Sequence, residues 1–264
     1  MLKKITDIKR QVVEAAQLEK PLTSFINKIV PGDFAFSKAL IESPWALIAE
    51  CKLASPAKGE LCSAYSVPEL AEIYTANGAV ALSVHTDTHF RGRLEDIAAV
   101  RSVTSLPILR KDFIIDEYQI YEAREAGADA ILLIANILSD KELKEYLALA
   151  QELGMDCLVE VHTLEELERV QQTPAKLIGI NNRNLKTFVT DIQNTFDLLP
   201  YCDKERLFIS ESGVSTKAEA NRLREAGLRG ILVGEGLVKA SDIGEKTREL
   251  AMLEQINGGK EHAK

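Results

Sequence analysis

The chain has little of what would mark a metal protein, a disulfide scaffold or a membrane protein. Its four cysteines, Cys51, Cys62, Cys157 and Cys202, form no Cys-x-x-Cys pair, which argues against a disulfide framework or zinc site and for reduced thiols in a cytoplasmic protein. No apolar run approaches the length of a membrane span, and the first twenty residues, with Glu14 and Glu19 and no apolar signal core, read as a helix and not an address. Basic charge is also short. The 32 Lys and Arg are interspersed with 40 Asp and Glu for a net charge of −8, so nucleic acid and anionic membranes are not expected partners. What the chain does have is apolar content, 46% of 264 residues, enough for one large α/β domain or two small ones. No linker or low-complexity stretch divides it.

A helical lead-in comes first. Ile8, Val12, Ala15 and Ala16 give residues Thr6 to Leu18 a helical stripe that Pro21 stops, and a second helical piece over Phe25 to Ile41 is interrupted at Pro31-Gly32. From Ala46 the rhythm becomes strand, loop, helix. Strands are predicted at Leu47 to Lys52, Ala79 to Val84, Ile108 to Arg110, Ala130 to Ile134, Asp156 to Val161, Leu177 to Asn181, Leu207 to Glu211 and Gly230 to Val233. Eight such units predict a closed (β/α)8 TIM barrel over residues 46–256, with residues 1–45 a helical extension packed on it and residues 257–264 a frayed tail. Helices Tyr118 to Ala126, Asp140 to Leu153 and Lys217 to Ala226 each run into a glycine placed to take the left-handed closing conformation. Pro44-Trp45, just before the first strand, is expected to pack the closed end.

The carboxyl ends of the strands carry the chemistry. Glu50 and Lys52 end the first, Lys111 follows the third within Arg110-Lys111-Asp112, Glu160 lies on the fifth, Asn181 on the sixth, and Glu211-Ser212 on the seventh. So many ionisable groups on one face are costly unless they pair or act, which leaves a ring of satisfied salt bridges or a catalytic mouth. Alternating lysine and glutamate suits proton transfer, because each sign shifts its neighbour's pKa and partial burial brings a lysine toward neutrality. Two glycine turns, Glu211-Ser212-Gly213 and Gly234-Glu235-Gly236, follow the last two strands, where such barrels hold phosphate. The second lacks a third glycine and a further βαβ unit, so it reads as phosphate binding without a dinucleotide cofactor.

Together these stretches resemble the indole-3-glycerol-phosphate synthase family over about Phe34 to Leu250. The resemblance rests on Ile48-Ala49-Glu50-Cys51-Lys52 with Ser55-Pro56-Ala57-Lys58-Gly59, Leu109-Arg110-Lys111-Asp112-Phe113-Ile114, Leu158-Val159-Glu160-Val161-His162, Gly179-Ile180-Asn181-Asn182-Arg183-Asn184-Leu185, Ser210-Glu211-Ser212-Gly213 and Leu232-Val233-Gly234-Glu235. It implies closure of the indole ring on carboxyphenylamino-deoxyribulose 5-phosphate with loss of carbon dioxide and water, and neither metal nor organic cofactor. By the matching positions Lys111 would be the general acid at the substrate carbonyl, and Lys52 would hold the substrate carboxylate and neighbouring anionic groups, the phosphate among them. Proton delivery stays divided between the two lysines. Glu160 would serve the acid/base steps that expel water, while Glu50, Asn181 and Glu211 would orient the lysines and sugar hydroxyls. Phe113, Leu132 and Leu185 would line the aryl pocket, each equally readable as a core residue. Ser55 and Arg183 match polar positions around the substrate, and backbone at Ser212-Gly213 and Gly234-Glu235 would bind phosphate. The loop Ser55 to Glu60 looks like the family's mobile cover. A small phosphorylated substrate and a monomer or weak homo-oligomer are expected.

The chain departs from the family pattern after the second strand. Ser83-Val84-His85-Thr86-Asp87-Thr88-His89-Phe90-Arg91-Gly92-Arg93 has His where the family usually has Leu and lacks one aromatic residue. Ala57 replaces a family serine, and Gly236 takes a place that is often Ser. His85 and His89 lack a matched third ligand, so no metal is expected, and His162 reads as structural beside the helix cap Thr163-Leu164-Glu165-Glu166. The altered loop leaves two other readings: a paralogue acting on another aryl-sugar phosphate, and a non-catalytic binding or regulatory subunit. A Schiff-base aldolase using Lys111 is a third.

Overall fold

The computed structural model describes residues 2–253 except Ala57 and residues 185–188. The expected tail at 257–264 therefore lies outside the described residues. Helix α1 (Leu2–Glu19) starts earlier than its stripe suggests. The second helical piece is α-helical only at α2 (Ala35–Glu42), after two single 3-10 turns at Leu22–Ser24 and Ile26–Lys28. Pro31 supplies no N–H to continue a helix, and Phe34, at φ 61°, sits in the left-handed region immediately before α2.

The strands are β1 (Ala46–Cys51), a small hairpin of β2 (Ala54–Ser55) and β3 (Gly59–Glu60), then β4 (Ala81–His85), β5 (Ile108–Lys111), β6 (Ala130–Ile134), β7 (Asp156–Val161), β8 (Leu177–Asn181), β9 (Leu207–Glu211) and β10 (Gly230–Val233). Eight of them pair in parallel and close as a barrel, β10 and β4 flanking β1. The (β/α)8 TIM barrel is therefore present, and five of its strands fall on the predicted residues. Three differ. β1 stops at Cys51, leaving Lys52 just beyond it, β5 runs on to include Lys111, and β4 begins two residues late and takes in His85, which pairs with Lys111.

Strand alternation then sorts the side chains. Ala46 and Ile48 of β1, Leu109 of β5, Leu132 of β6, Leu158 of β7, Ile209 of β9 and Leu232 of β10 fill the barrel interior, while Leu47, Leu82, Ile131, Val159 and Ile178 face the outer helices. Phe36 and Leu40 of α2, both fully buried, join the interior set and plug its amino end, each contributing about 1.5–3 kcal/mol by burial. Trp45, just ahead of β1, is also buried, in the outer layer and not inside the barrel, and donates Nε1–H to the Leu250 carbonyl.

Helix α1 lies at the other end. Its Ile5 and Lys9 reach the barrel mouth, and the chain between α1 and α2 is tied to the barrel by Tyr118 Oη–H donating to the Lys20 carbonyl and by Gly32 N–H donating to the Leu153 carbonyl. At that second tie two glycine backbones touch: a Cβ on Gly154, at φ 63°, would lie 2.1 Å from the Gly32 oxygen. Any side chain there would push the extension off the barrel.

Candidate active site

Carried one step past the interior layer, the same alternation ends each inward row in a mouth residue: Glu50, His85, Lys111, Ile134, Glu160, Asn181, Glu211 and, just past β10, Gly234. These line a cavity of ≈ 590 Å³ at the carboxyl end of the barrel. A barrel interior floored with Leu and Ile thus gives way within one residue to charged groups.

Lys111 is the hub. Its Nζ lies 2.5 Å from Glu211 Oε2 and 3.1 Å from Glu160 Oε2. Burial opposes a charge on this lysine, but Glu211, Glu160 and Glu50 outweigh it and raise its pKa. The expectation that burial brings the lysine toward neutrality is therefore overturned: three carboxylates hold it as an ammonium. Glu160 titrates low, because Lys111 and His162 overcome its burial. Glu211 goes the other way. Its burial, with Glu160 and Glu50 nearby, outweighs Lys111 and pushes it up to about 7. Its Oε1 is buried without a hydrogen-bond partner. One carboxylate of the pair is ionised, and the other is poised to gain or lose a proton near neutral pH.

A second cluster adjoins the first. Lys52 Nζ lies 3.4 Å from Glu50 Oε2, and His85 Nε2 lies 2.7 Å from Glu50 Oε1. Burial would raise Glu50, but Lys52, His85 and Lys111 hold it well below the ordinary carboxylate range. Gly179 and Gly234 make room for the two clusters. A Cβ at 179 would fall 1.9 Å from Glu211 Oε1, and one at 234 would fall 1.9 Å from Glu50 Oε2.

On the far side the cavity is lined by Ser212, Gly213, Gly234 and Glu235. Ser212 and Gly213 take φ of 66° and 85°, an uncommon conformation for a serine, with the Ser212 N–H donating to the Leu232 carbonyl. Glu235 gathers cations here: Lys58 Nζ at 2.6 Å, Lys239 Nζ at 2.9 Å and Arg183 Nη2 at 3.8 Å. The Lys58 contact fastens the β2–β3 hairpin across the mouth.

One predicted site residue falls elsewhere. Ser55 is buried, and its Oγ accepts the Lys58 N–H inside the hairpin turn, so it does not line the cavity. Phe113, Leu132 and Arg183 do line it; Leu185 and Ala57 lie outside the described residues. Asn181 lines the cavity and accepts the Arg183 N–H at Oδ1. His162, read from the sequence as structural, also stands 3.3 Å from Glu160 Oε1, and Glu166 and Glu160 raise its pKa against its burial. His85 and His89 turn to different carboxylates, Glu50 and Asp87. Among the described residues no three His, Cys, Asp or Glu side chains are grouped to hold a metal ion.

From the sequence neither His85 nor Lys9 had a part in the site, His85 standing only as a departure from the family pattern and a metal candidate without a third ligand. His85 could have been found by extending the inward row of β4 by one residue. Lys9 could not: from α1 it reaches Asp87 Oδ2 and Asp112 Oδ1, each at 2.6 Å, with all three side chains buried. Asp112 follows Lys111 directly, and its Oδ2 accepts from Arg110 and Thr86. A buried ion-pair network thus stands behind the strand end that carries Lys111.

Comparison with known proteins agrees with this geometry. The family model for indole-3-glycerol phosphate synthase matches residues 2–250. An indole-3-glycerol phosphate synthase of Desulforamulus reducens is 46% identical over 96% of this chain and 97% of its own. One from Legionella pneumophila strain Paris is 45% identical over 95% of this chain and 98% of its own. Among solved structures, the 3-hexulose-6-phosphate synthase of Salmonella typhimurium superposes with a TM-score of 0.64 at 13% identity, covering 78% of this chain and 97% of that one. The thiamine phosphate pyrophosphorylase of Pyrococcus furiosus does so with a TM-score of 0.60 at 15% identity, covering 80% and 96%. The likeness to these two is one of fold alone. On the family match and the full-length relatives together, this chain belongs to the indole-3-glycerol phosphate synthase family.

Proposed function

We propose that Lys111, held as an ammonium between Glu160 and Glu211, is the general acid of the family's reaction in this chain. The enzyme is a decarboxylating carbon–carbon lyase of tryptophan biosynthesis that closes the indole ring on 1-(2-carboxyphenylamino)-1-deoxyribulose 5-phosphate. Ring closure makes the substrate carbonyl oxygen more basic while the aromatic carbon attacks. A desolvated ammonium aimed at that oxygen stabilises the transition state and supplies the proton. Loss of carbon dioxide then restores electrons to the ring. Glu160, the ionised carboxylate of the pair, then takes the ring proton while Lys111, reprotonated, gives the hydroxyl the proton with which it leaves as water. Glu211, poised near neutral pH, returns a proton to Lys111 across 2.5 Å.

Lys52 takes the substrate carboxylate and faces the phosphate, with Glu50 fixing its ammonium. The backbone at Ser212-Gly213 and Gly234-Glu235 receives the phosphate, and Arg183 stands beside it. Phe113 and Leu132 flank the aryl ring, and Asn181 orients Glu160 and the sugar hydroxyls. No metal or organic cofactor enters this scheme. A monomer or weak homo-oligomer is part of the same proposal. Free thiols, Cys51 and Cys62 buried and the half-buried Cys202 pushed up to about 12 by burial, fit a reduced, cytoplasmic setting.

The single observation that carries the reading is the buried Glu160–Lys111–Glu211 bridge facing two phosphate turns. Fluorescence-monitored conversion of the substrate by metal-stripped protein tests it. Turnover by the wild type and its near abolition in a folded Lys111→Met variant are expected. A wild-type rate in Lys111→Met removes Lys111 from the mechanism.

A further inference from the structure

We propose that His85 is a positioning residue of this site, fixing the Glu50 carboxylate with one hydrogen bond and forming with Phe90 the aromatic wall that selects the aryl end of the substrate. The inference rests on the reading of Glu50 and the aryl pocket given above.

The bond comes first. His85 is 5% exposed, and its Nε2 lies 2.7 Å from Glu50 Oε1, while the other Glu50 oxygen faces Lys52. A carboxylate held ionised can only accept, so Nε2 carries the hydrogen and donates it. Burial keeps the imidazole pKa low against the pull of Glu50, and the ring stays neutral. Glu50 is thereby clamped between a neutral donor and an ammonium, with one oxygen assigned to each.

The wall uses the ring face. His85 stacks on Phe90 with centroids 4.2 Å apart and planes 15° from parallel, and Phe90 in turn leans on Phe113 at 6.4 Å. Lys52 Nζ stands 5.2 Å from the Phe90 centroid. Phe90 reaches this place through a tight turn in which the N–H groups of Phe90 and Gly92 both donate to the Asp87 carbonyl. The turn folds back so closely on β4 that a Cβ on Gly92 would lie 2.1 Å from the His85 oxygen. The loop that lacks one of the family's aromatic residues and the histidine therefore act together: one delivers a single aromatic ring, and the other supplies the face it stacks on.

The two roles separate by substitution. His85→Gln keeps an N–H donor for Glu50 and loses the stacked ring, whereas His85→Phe keeps a ring and loses the donor. Loss of an aromatic stack should raise KM, and raise the Kd for the carbonyl-reduced substrate analogue, about fivefold in His85→Gln, with kcat within about threefold of wild type. Loss of a bond to an ionised carboxylate should lower kcat about tenfold or more in His85→Phe, with KM and Kd within about twofold. Equal behaviour of the two variants, whether both match the wild type or both lose rate and affinity together, overturns the proposal. Circular dichroism melting shows whether either variant has failed to fold. Should His85→Phe fail, unchanged KM and Kd in a folded His85→Gln suffice to overturn it. Wild-type turnover, assayed alongside, tests the parent reading separately. The analogue Kd values read the aromatic wall even in a protein that does not turn over.

Discussion

Gly234 and Glu50 compete for one space: a Cβ at residue 234 would come 1.9 Å from the Glu50 carboxylate. Gly179 and Glu211 stand in the same relation across the barrel. In both pairs the obstructed atoms end a flexible side chain, so a methyl group would displace the glutamate rather than break the strand. Gly179→Ala and Gly234→Ala should each cost about 1–3 kcal/mol of stability and lower kcat out of proportion to it, roughly a hundredfold. Denaturation curves beside steady-state kinetics check this. A folded Gly179→Ala enzyme with near-normal kcat would show that Glu211 need not occupy its observed place.

Glu211 should leave a signature in pH dependence. Its folded pKa is raised from 4.5 to about 7, so the native state holds a proton that the unfolded chain releases. The stabilisation this gives is fully present below 4.5 and is lost as pH rises through about 7. Glu211→Gln, which cannot titrate, should flatten the fall in stability across that window. Urea midpoints measured at several pH values in both proteins decide the matter. Equal slopes would place the titration elsewhere.

Much of the site was legible because strand alternation is a two-residue rule. Once Ile108 to Arg110 reads as a buried strand, Lys111 must follow Leu109 onto the inner face, and Glu160 and Glu211 follow Leu158 and Ile209 likewise. His85 was missed because the predicted strand stopped at Val84, one residue short; β4 runs on to His85, which follows Ala81 and Ser83 on the inner face and pairs with Lys111. The charge state of Lys111 was not legible at all. It depends on three carboxylates from three other strands, and no local pattern reports how far they outweigh burial.

Lys9 marks the other limit, a contact between residues 78 and 103 positions apart that only the assembled fold creates. Removing it strands two buried aspartates beneath α1, although Arg110 still faces Asp112. Lys9→Met should therefore lose about 3–5 kcal/mol, and Asp87→Asn in the same background should recover part of that by removing one uncompensated charge. Thermal melts of the single and double variants test the coupling. Strict additivity would mean that the lysine does not act through Asp87.

Lys58 separates binding from stability in the opposite way. Its pair with Glu235 at 2.6 Å is half exposed, so its loss should change stability by less than about 1 kcal/mol. Yet that pair spans the mouth from the β2–β3 hairpin to Glu235, which puts the cation beside the turn proposed for the phosphate. In Lys58→Ala, KM should rise several-fold while kcat stays close to wild type, and the salt dependence of KM should weaken because one attracting charge is gone. Lys58→Arg should restore most of the affinity. A fall in kcat at saturating substrate, with KM unchanged, would instead mean that the hairpin contributes to the chemical step by closing over the bound substrate, and not by drawing its phosphate in.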